Sequence, residues 1–158
     1  MVEWTKTSRK AGNVAFTACS LEGNPFELTL ENVSIPFEPS AFGDDGTATR
    51  KSVCFEGAAE DIKTKLANME ENIGATSSCL KDSLLRCKID MNKYRAYDAQ
   101  SNSIENPTTW RGQKANVHVH IRGKWQTSQG CGLSLETTNV QFMGQREPTC
   151  PFKPVPVC

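Results

Sequence analysis

Alternation of apolar and polar residues is the dominant signal in this chain, and it runs longest over residues 115–142, ANVHVHIRGKWQTSQGCGLSLETTNVQF. Val117, Val119 and Ile121 fall on one side of a predicted strand, and His118, His120, Arg122 and Lys124 on the other. A tight glycine-containing turn then sends the chain back, so the stretch reads as a long β-hairpin. Phe26, Leu28 and Leu30 alternate with Glu27, Thr29 and Glu31, the pattern of a half-buried strand. Residues 14–19 alternate more weakly. Across the Gly23-Asn24-Pro25 breaker they suggest an antiparallel hairpin with the 26–30 strand. A short strand over 51–55 points Val53 and Phe55 inward. A further one over 84–91 points Leu85, Cys87, Ile89 and Met91 inward and Arg86, Lys88 and Asp90 outward.

Helical periodicity occurs in one segment. Over 58–73, Ile62, Leu66, Met69 and Ile73 form one apolar stripe. Glu60 and Asp61 suit the positive end of that helix, and Gly74 ends it. Two polar connections remain, 34–49 and 98–114. The first is long enough to be functional or disordered. Phe37 and Phe42 within it read more readily as core anchors than as exposed stacking groups, and Asp44-Asp45 reads as a turn. The element order predicts a mainly β protein, an antiparallel barrel or sandwich of about five to seven strands with one α-helix. The OB-fold, whose helix follows its third strand, fits best. The expected division is a loosely held 1–13, a domain over 14–143 and a Pro-rich tail over 144–158.

Composition refines this outline. At 158 residues the chain suffices for one domain with its own core, and 37% hydrophobic with 23% charged residues excludes the disordered class. The net charge is zero, which argues against a polyanion partner until its distribution is read. Residues 1–75 hold 7 Lys+Arg against 12 Asp+Glu, and residues 76–158 hold 11 against 6. Either one side of the fold is basic, or the halves intermix and no patch results. The start, WTKTSRK, has no apolar run, and no stretch approaches the roughly 20 apolar residues of a membrane span. A soluble intracellular protein without a signal peptide is expected, in the nucleus or at a viral replication site. The 7 cysteines include no CxxC pair and read as reduced thiols that fill apolar gaps; Cys150 and Cys158 fall in the tail.

Three segments together resemble a family of single-stranded-DNA-binding OB-fold proteins of large DNA viruses and phages. They are ELTLENVSIPFEPSAFG, KSVCFEGAAEDIKTKLANMEENI and VHVHIRGKWQTSQGCGLSLETTNVQF. In that family the last hairpin carries an aromatic residue near a glycine turn and returns as a Gly-apolar-Ser-apolar strand. Trp125, Gly130, Gly132, Leu133, Ser134 and Leu135 stand at those positions here. The family often ends in an acidic tail, whereas this chain ends in GQREPTCPFKPVPVC.

Binding single strands needs cations along the phosphates and aromatic faces for the bases. Residues 81–124 hold nine Lys+Arg against four Asp+Glu, with Tyr94, Tyr97 and Trp110 among them. Arg86 and Lys88 share a surface with Arg122 and Lys124 if their strands pair. Lys93, Arg95 and Arg111 complete the basic set, and His118 and His120 add charge below about pH 6.5. Tyr94 and Tyr97 have polar neighbours and read as exposed. Trp110 reads as stacking or anchoring, and Trp125 falls by parity on the apolar side, as stacking or core. An alternative use of the His118–His120 pair is zinc, with Cys131 as third ligand. No hydrolase, kinase or metalloprotease motif is present, and no cofactor is expected. The expected function is non-catalytic binding of single-stranded DNA, or of RNA, in replication, recombination or repair. Its partners would be replication or recombination proteins and a second copy of the chain, with no membrane. The competing reading is a protein-interaction or structural module of a virion or scaffold.

Overall fold

The computed structural model describes residues 2–4, 9–11, 14–21, 26–41 and 49–145. Strands form at β1 (Val2–Trp4), β2 (Arg9–Ala11), β3 (Val14–Leu21), β4 (Phe26–Ser34) and β5 (Arg50–Glu56). The helix α1 (Glu60–Ile73) follows. Then come β6 (Leu80–Lys81), β7 (Leu84–Asp90), β8 (Arg95–Tyr97), β9 (Ser103–Ile104), β10 (Gln113–Thr127) and β11 (Gly130–Gln145). The expected turn at 23–25, Phe42, Asp44-Asp45, Cys150, Cys158 and the tail beyond Gln145 lie outside the described residues.

Five strands close a ring. β4 pairs β5, β5 pairs β7, β7 pairs β11, β11 pairs β10 and β10 returns to β4. This strand order is OB-like and matches the mainly β expectation. It is not wholly antiparallel, because β7 and β11 run parallel. The ring's best-joined edge is β10–β11, which pairs from Gln113↔Gln145 to Thr127↔Gly130. Its thinnest is β4–β5, joined at Ser34↔Glu56.

Residues 14–21 and 26–34 do not form the expected hairpin. Both lie on the same edge of β10, with Ala15–Ala18 opposite Gln126–Gly123 and Phe26–Ser34 opposite Ile121–Lys114. A long partner strand thus offers each of them more pairing than they offer one another. β3 stands outside the ring, with β1 and β2 on its far edge, so α1 follows the second ring strand and not a third.

The inward positions are those that alternation assigns. Phe26, Leu28, Leu30, Val53, Phe55, Leu85, Cys87, Ile89, Val117, Val119 and Ile121 are buried. Asp90 departs from it, being buried where an outward carboxylate is expected; its Oδ1 accepts the Asn92 N–H at 3.0 Å. The helix adds Leu66 and Met69 to the core, and Gly74 ends it in the left-handed conformation at φ 66°, accessible to glycine without a Cβ clash. Lys65 reaches the Phe26 ring, and Thr76 and Ser77 donate to the Cys131 carbonyl. The helix therefore covers the end of the ring at which the β10–β11 tip projects.

Candidate nucleic-acid interface

The tip is where local chain geometry decides which side chains face outward. Register on β10 steps from Ile121↔Leu135 to Gly123↔Ser134, a β-bulge. One extra residue reverses the parity of everything beyond it. Trp125, in phase with the buried valines by simple alternation, thereby turns to the outer face, opposite Gly132 and Phe16. Lys124 turns the other way and places its Nζ 5.6 Å from the centroid of the Trp4 ring. The expected row His118, His120, Arg122, Lys124 therefore ends at Arg122. Glycine is needed at two places here. A Cβ at Gly123 would collide with the Thr17 carbonyl of β3, and one at Gly132 would lie 2.9 Å from the Trp125 ring.

Trp125 borders a groove of about 440 Å³ whose polar lining includes Ser77, Ser78, Arg86, Lys88 and Ser134, over an apolar floor of Cys79, Cys87, Leu133 and Leu135. The pairing that would put Arg86 and Lys88 directly beside Arg122 and Lys124 does not form, since β7 does not pair β10. β11 lies between them, so Lys88 neighbours Glu136, which neighbours His120, which neighbours Glu27. Arg86 and Arg122 still share the outer face, with the β11 row between them. Arg86 also lines an adjoining groove of about 360 Å³ with Phe37, Ser52, Cys54 and Lys81. Phe37 is 56% exposed, so it is not the core anchor that loop phenylalanines usually are. A band thus runs from Phe37 past Arg86 and Lys88 to Trp125, with an aromatic ring at each end and cations between.

Both ends of the band are fixed in place. Glu38, next to Phe37, accepts the N–H groups of Trp110 at 3.0 Å and Arg111 at 2.6 Å. Ser40 and Ser52 exchange backbone hydrogen bonds at 2.9 and 2.7 Å. At the other end the buried Glu70 accepts from Ser78 Oγ and the Cys79 N–H, each at 2.8 Å, holding the groove wall after α1. Cys131 N donates to Thr76 Oγ1 at 2.9 Å and ties that wall to the hairpin tip. Burial, reinforced by the Glu70 charge, pushes the Cys79 thiol up to about 12, and burial raises Cys87 as well. Both sulfurs on the groove floor are neutral fillers.

The electrostatics are mixed, because the acidic and basic halves of the chain interleave in the ring. Glu136, with a side chain 10% exposed, sits among the cations, ion-paired to Arg122 and, at 3.7 Å, to Arg50. Arg50 was not visible as a site residue in the sequence, since it precedes its strand's apolar core. Desolvation first, then Arg86 and Arg50, lower the Lys88 pKa. Burial and Arg122 lower that of His120, against the pull of Glu27 and Glu136.

The remaining predicted residues lie elsewhere. Trp110 is 2% exposed and packs edge-on against Phe142 at 4.8 Å; its Nε1 donates to Asn106 Oδ1 at 3.1 Å. Tyr94 leans on Trp110 at 5.4 Å and donates its hydroxyl to the same Asn106 oxygen. Tyr94 is expected to be exposed and Trp110 either to stack or to anchor; both rings pack into the fold instead of facing outward. A polar neighbour in sequence does not expose a ring that has a core behind it. Lys93, Arg95 and Arg111 are exposed but outside the band. Tyr97 lines a separate groove with His118. Cys131 pairs with Gln126 at the tip, away from His118 and His120 in register. Among the described residues no cluster of three or more His, Cys, Asp or Glu could hold a metal ion. Nor, among them, is any helix long and apolar enough to cross a membrane.

No protein-family model and no curated protein matches the sequence. Solved structures do match the fold. One is the single-stranded DNA-binding protein from bacteriophage Enc34 in a C-terminally truncated form. It has TM-score 0.59 and 12% identity, over 92% of this chain and 97% of that one. Another is the Enc34 protein in complex with single-stranded DNA, at TM-score 0.51 and 12% identity over 90% and 96% of the two chains. At that identity the likeness is one of fold, and it lies on the phage side of the resemblance read from the sequence.

Proposed function

We propose that this protein binds single-stranded DNA in the band from Phe37 to Trp125. The observation that carries the reading is the convergence of Arg86, Lys88 and Trp125 on one groove at the hairpin tip of an OB-like ring. The outer face of the second and third strands, with the flanking loops, is where OB folds take oligonucleotides. Here those strands are β5 and β7; Phe37 lies in the connection between β4 and β5, and Trp125 near the end of β10, beside its turn into β11. The fold likeness to a phage single-stranded-DNA-binding protein supports the same reading.

The mechanism is additive and needs no catalytic group. Arg86, Lys88 and Arg122 take phosphates and displace their counterions. Trp125 and Phe37 take base faces, each worth about 1–3 kcal/mol. Three or four phosphate contacts at about 0.7 ions each give a slope of log K against log salt of roughly −2 to −3. The domain over 14–143 would act on strands exposed in replication, recombination or repair, in a phage- or virus-infected cell. RNA is the natural competitor ligand, because neither stacking nor phosphate contact reads the sugar.

Fluorescence anisotropy with labelled oligo-dT at low and moderate salt tests this. Binding at low salt that weakens along that slope is expected. No binding at low salt would end the proposal, and tight salt-independent binding would favour a protein-interaction surface instead.

A further inference from the structure

A second groove lies on the outer face beyond His120, where β8 joins β11. Register partners share a face, so Arg95 stands beside Asn139 and Tyr97 beside Gln141, with His118 and Asn116 across on β10. Tyr97, Ser101, Asn116, His118, Asn139 and Gln141 line about 320 Å³, and none of them carries a fixed charge.

The amides in this groove are already oriented. Gln141 Nε2 donates to the Asp98 carbonyl at 3.3 Å, and its Oε1 accepts from Asn116 Nδ2 at 2.9 Å. Asn116 Oδ1 in turn accepts the Asn32 N–H at 2.8 Å. Asn139 Nδ2 lies 3.4 Å from His118 Nδ1 and 3.2 Å from Thr138 Oγ1. An amide nitrogen only donates, so in this contact His118 Nδ1 accepts, which leaves Nε2 as the ring's donor. What the groove offers a ligand is an acceptor, Asn139 Oδ1, and a donor, His118 Nε2–H, on adjacent strands beside a phenol ring.

We infer that this groove is a nucleobase subsite for the strand held at the tip, an inference that rests on the reading of the tip groove. One base stacks on Tyr97 and presents its donor–acceptor edge to Asn139 and His118, while Arg95 takes the flanking phosphate. The Watson–Crick edge of every base carries donors and acceptors together, and an uncharged groove that offers one of each selects for that chemistry over a charged group. The two grooves are continuous in register: Lys88, Glu136 and His120 are lateral neighbours, and His118 follows two residues along β10. The consequence is a base preference that stacking and phosphate contact alone do not supply.

The test compares dA, dC and dT homo-oligomers of equal length by anisotropy. A spread of about five-fold or more between the tightest and weakest is expected, from one discriminating hydrogen-bonded pair. Asn139→Ala and Tyr97→Leu should shrink the spread to within about two-fold, whereas Arg86→Glu should weaken all three and keep their order. No spread in the parent, or an order and spread unchanged in both groove variants, would overturn the inference and leave the tip reading standing. No binding to any oligomer would overturn the tip reading and this inference with it. Titration of the parent protein with deoxynucleoside monophosphates, followed by NMR at the side-chain amides, removes dependence on the variants' folding. Shifts at Asn116 and Asn139 are expected, and silence there at saturating nucleotide would overturn the subsite.

Discussion

Trp110 and Trp125 are both written into the sequence as a tryptophan beside a cation, yet they occupy opposite environments. Trp110 is sealed between Tyr94 and Phe142 and anchored through Glu38 and Asn106. Trp125 lies over Gly132 at the mouth of a groove lined by Arg86 and Lys88. The neighbouring cation decides neither case. What decides is whether the backbone turns the ring toward the core, and for Trp125 a single bulged residue reverses that direction.

Substitutions separate the two rings. Trp110→Ala should have the largest effect, a loss of about 3–5 kcal/mol of stability from the emptied core site, read from denaturant midpoints. Binding by the remaining folded protein should change little. Arg86→Glu should leave stability nearly unchanged and weaken oligo-dT binding by about 2–3 kcal/mol, because it removes a charge-assisted contact where two grooves meet. Trp125→Ala should cost about 1–3 kcal/mol of binding and less than Trp110→Ala in stability. If the two tryptophan variants behave alike in both assays, the contrast between the rings is wrong.

Glu136→Gln sharpens the comparison from the opposite direction. Glu136 occupies Arg122 and Arg50 as a phosphate would, so removing its charge frees both cations. Binding should tighten by about 0.5–1 kcal/mol, and the salt slope should steepen. The smallest effect belongs to His120. Burial and Arg122 hold its pKa below the ordinary imidazole value, against Glu27 and Glu136, so the ring is neutral at pH 7. It gains charge, and binding strengthens, only as pH falls below about 6.5. His120→Asn should flatten that acid-side gain in a pH series of anisotropy titrations.

Much of the ring was legible in the sequence. Strict alternation over 26–30, 84–89 and 117–121 identified the inner face, because a strand with one buried side must keep its period. The α1 stripe and its glycine stop were equally plain. Pairing partners were not legible: Val14–Leu21 and Phe26–Ser34 share the edge of β10, and nothing local to either segment encodes that. The site was half legible. Arg86, Lys88 and Arg122 follow from parity, and Trp125 from its place near the turn. Lys124 fails because a bulge has no fixed sequence mark. Trp110 fails because Phe142 seals its ring and Glu38 holds its backbone, both distant in sequence, and Tyr94 fails because its ring leans on Trp110. Phe37 reads as an anchor because a loop aromatic usually is one, and Glu136 escapes notice because a lone strand carboxylate usually faces water.

The central claim is that bound DNA touches Trp125 and not Trp110. Photocrosslinking of a 5-bromodeoxyuridine oligomer, with the attached peptide mapped by mass spectrometry, tests it most directly. Adducts are expected at Trp125, with Phe37 as the second site. Adducts confined to Tyr94, Trp110 or other residues outside the band would contradict it.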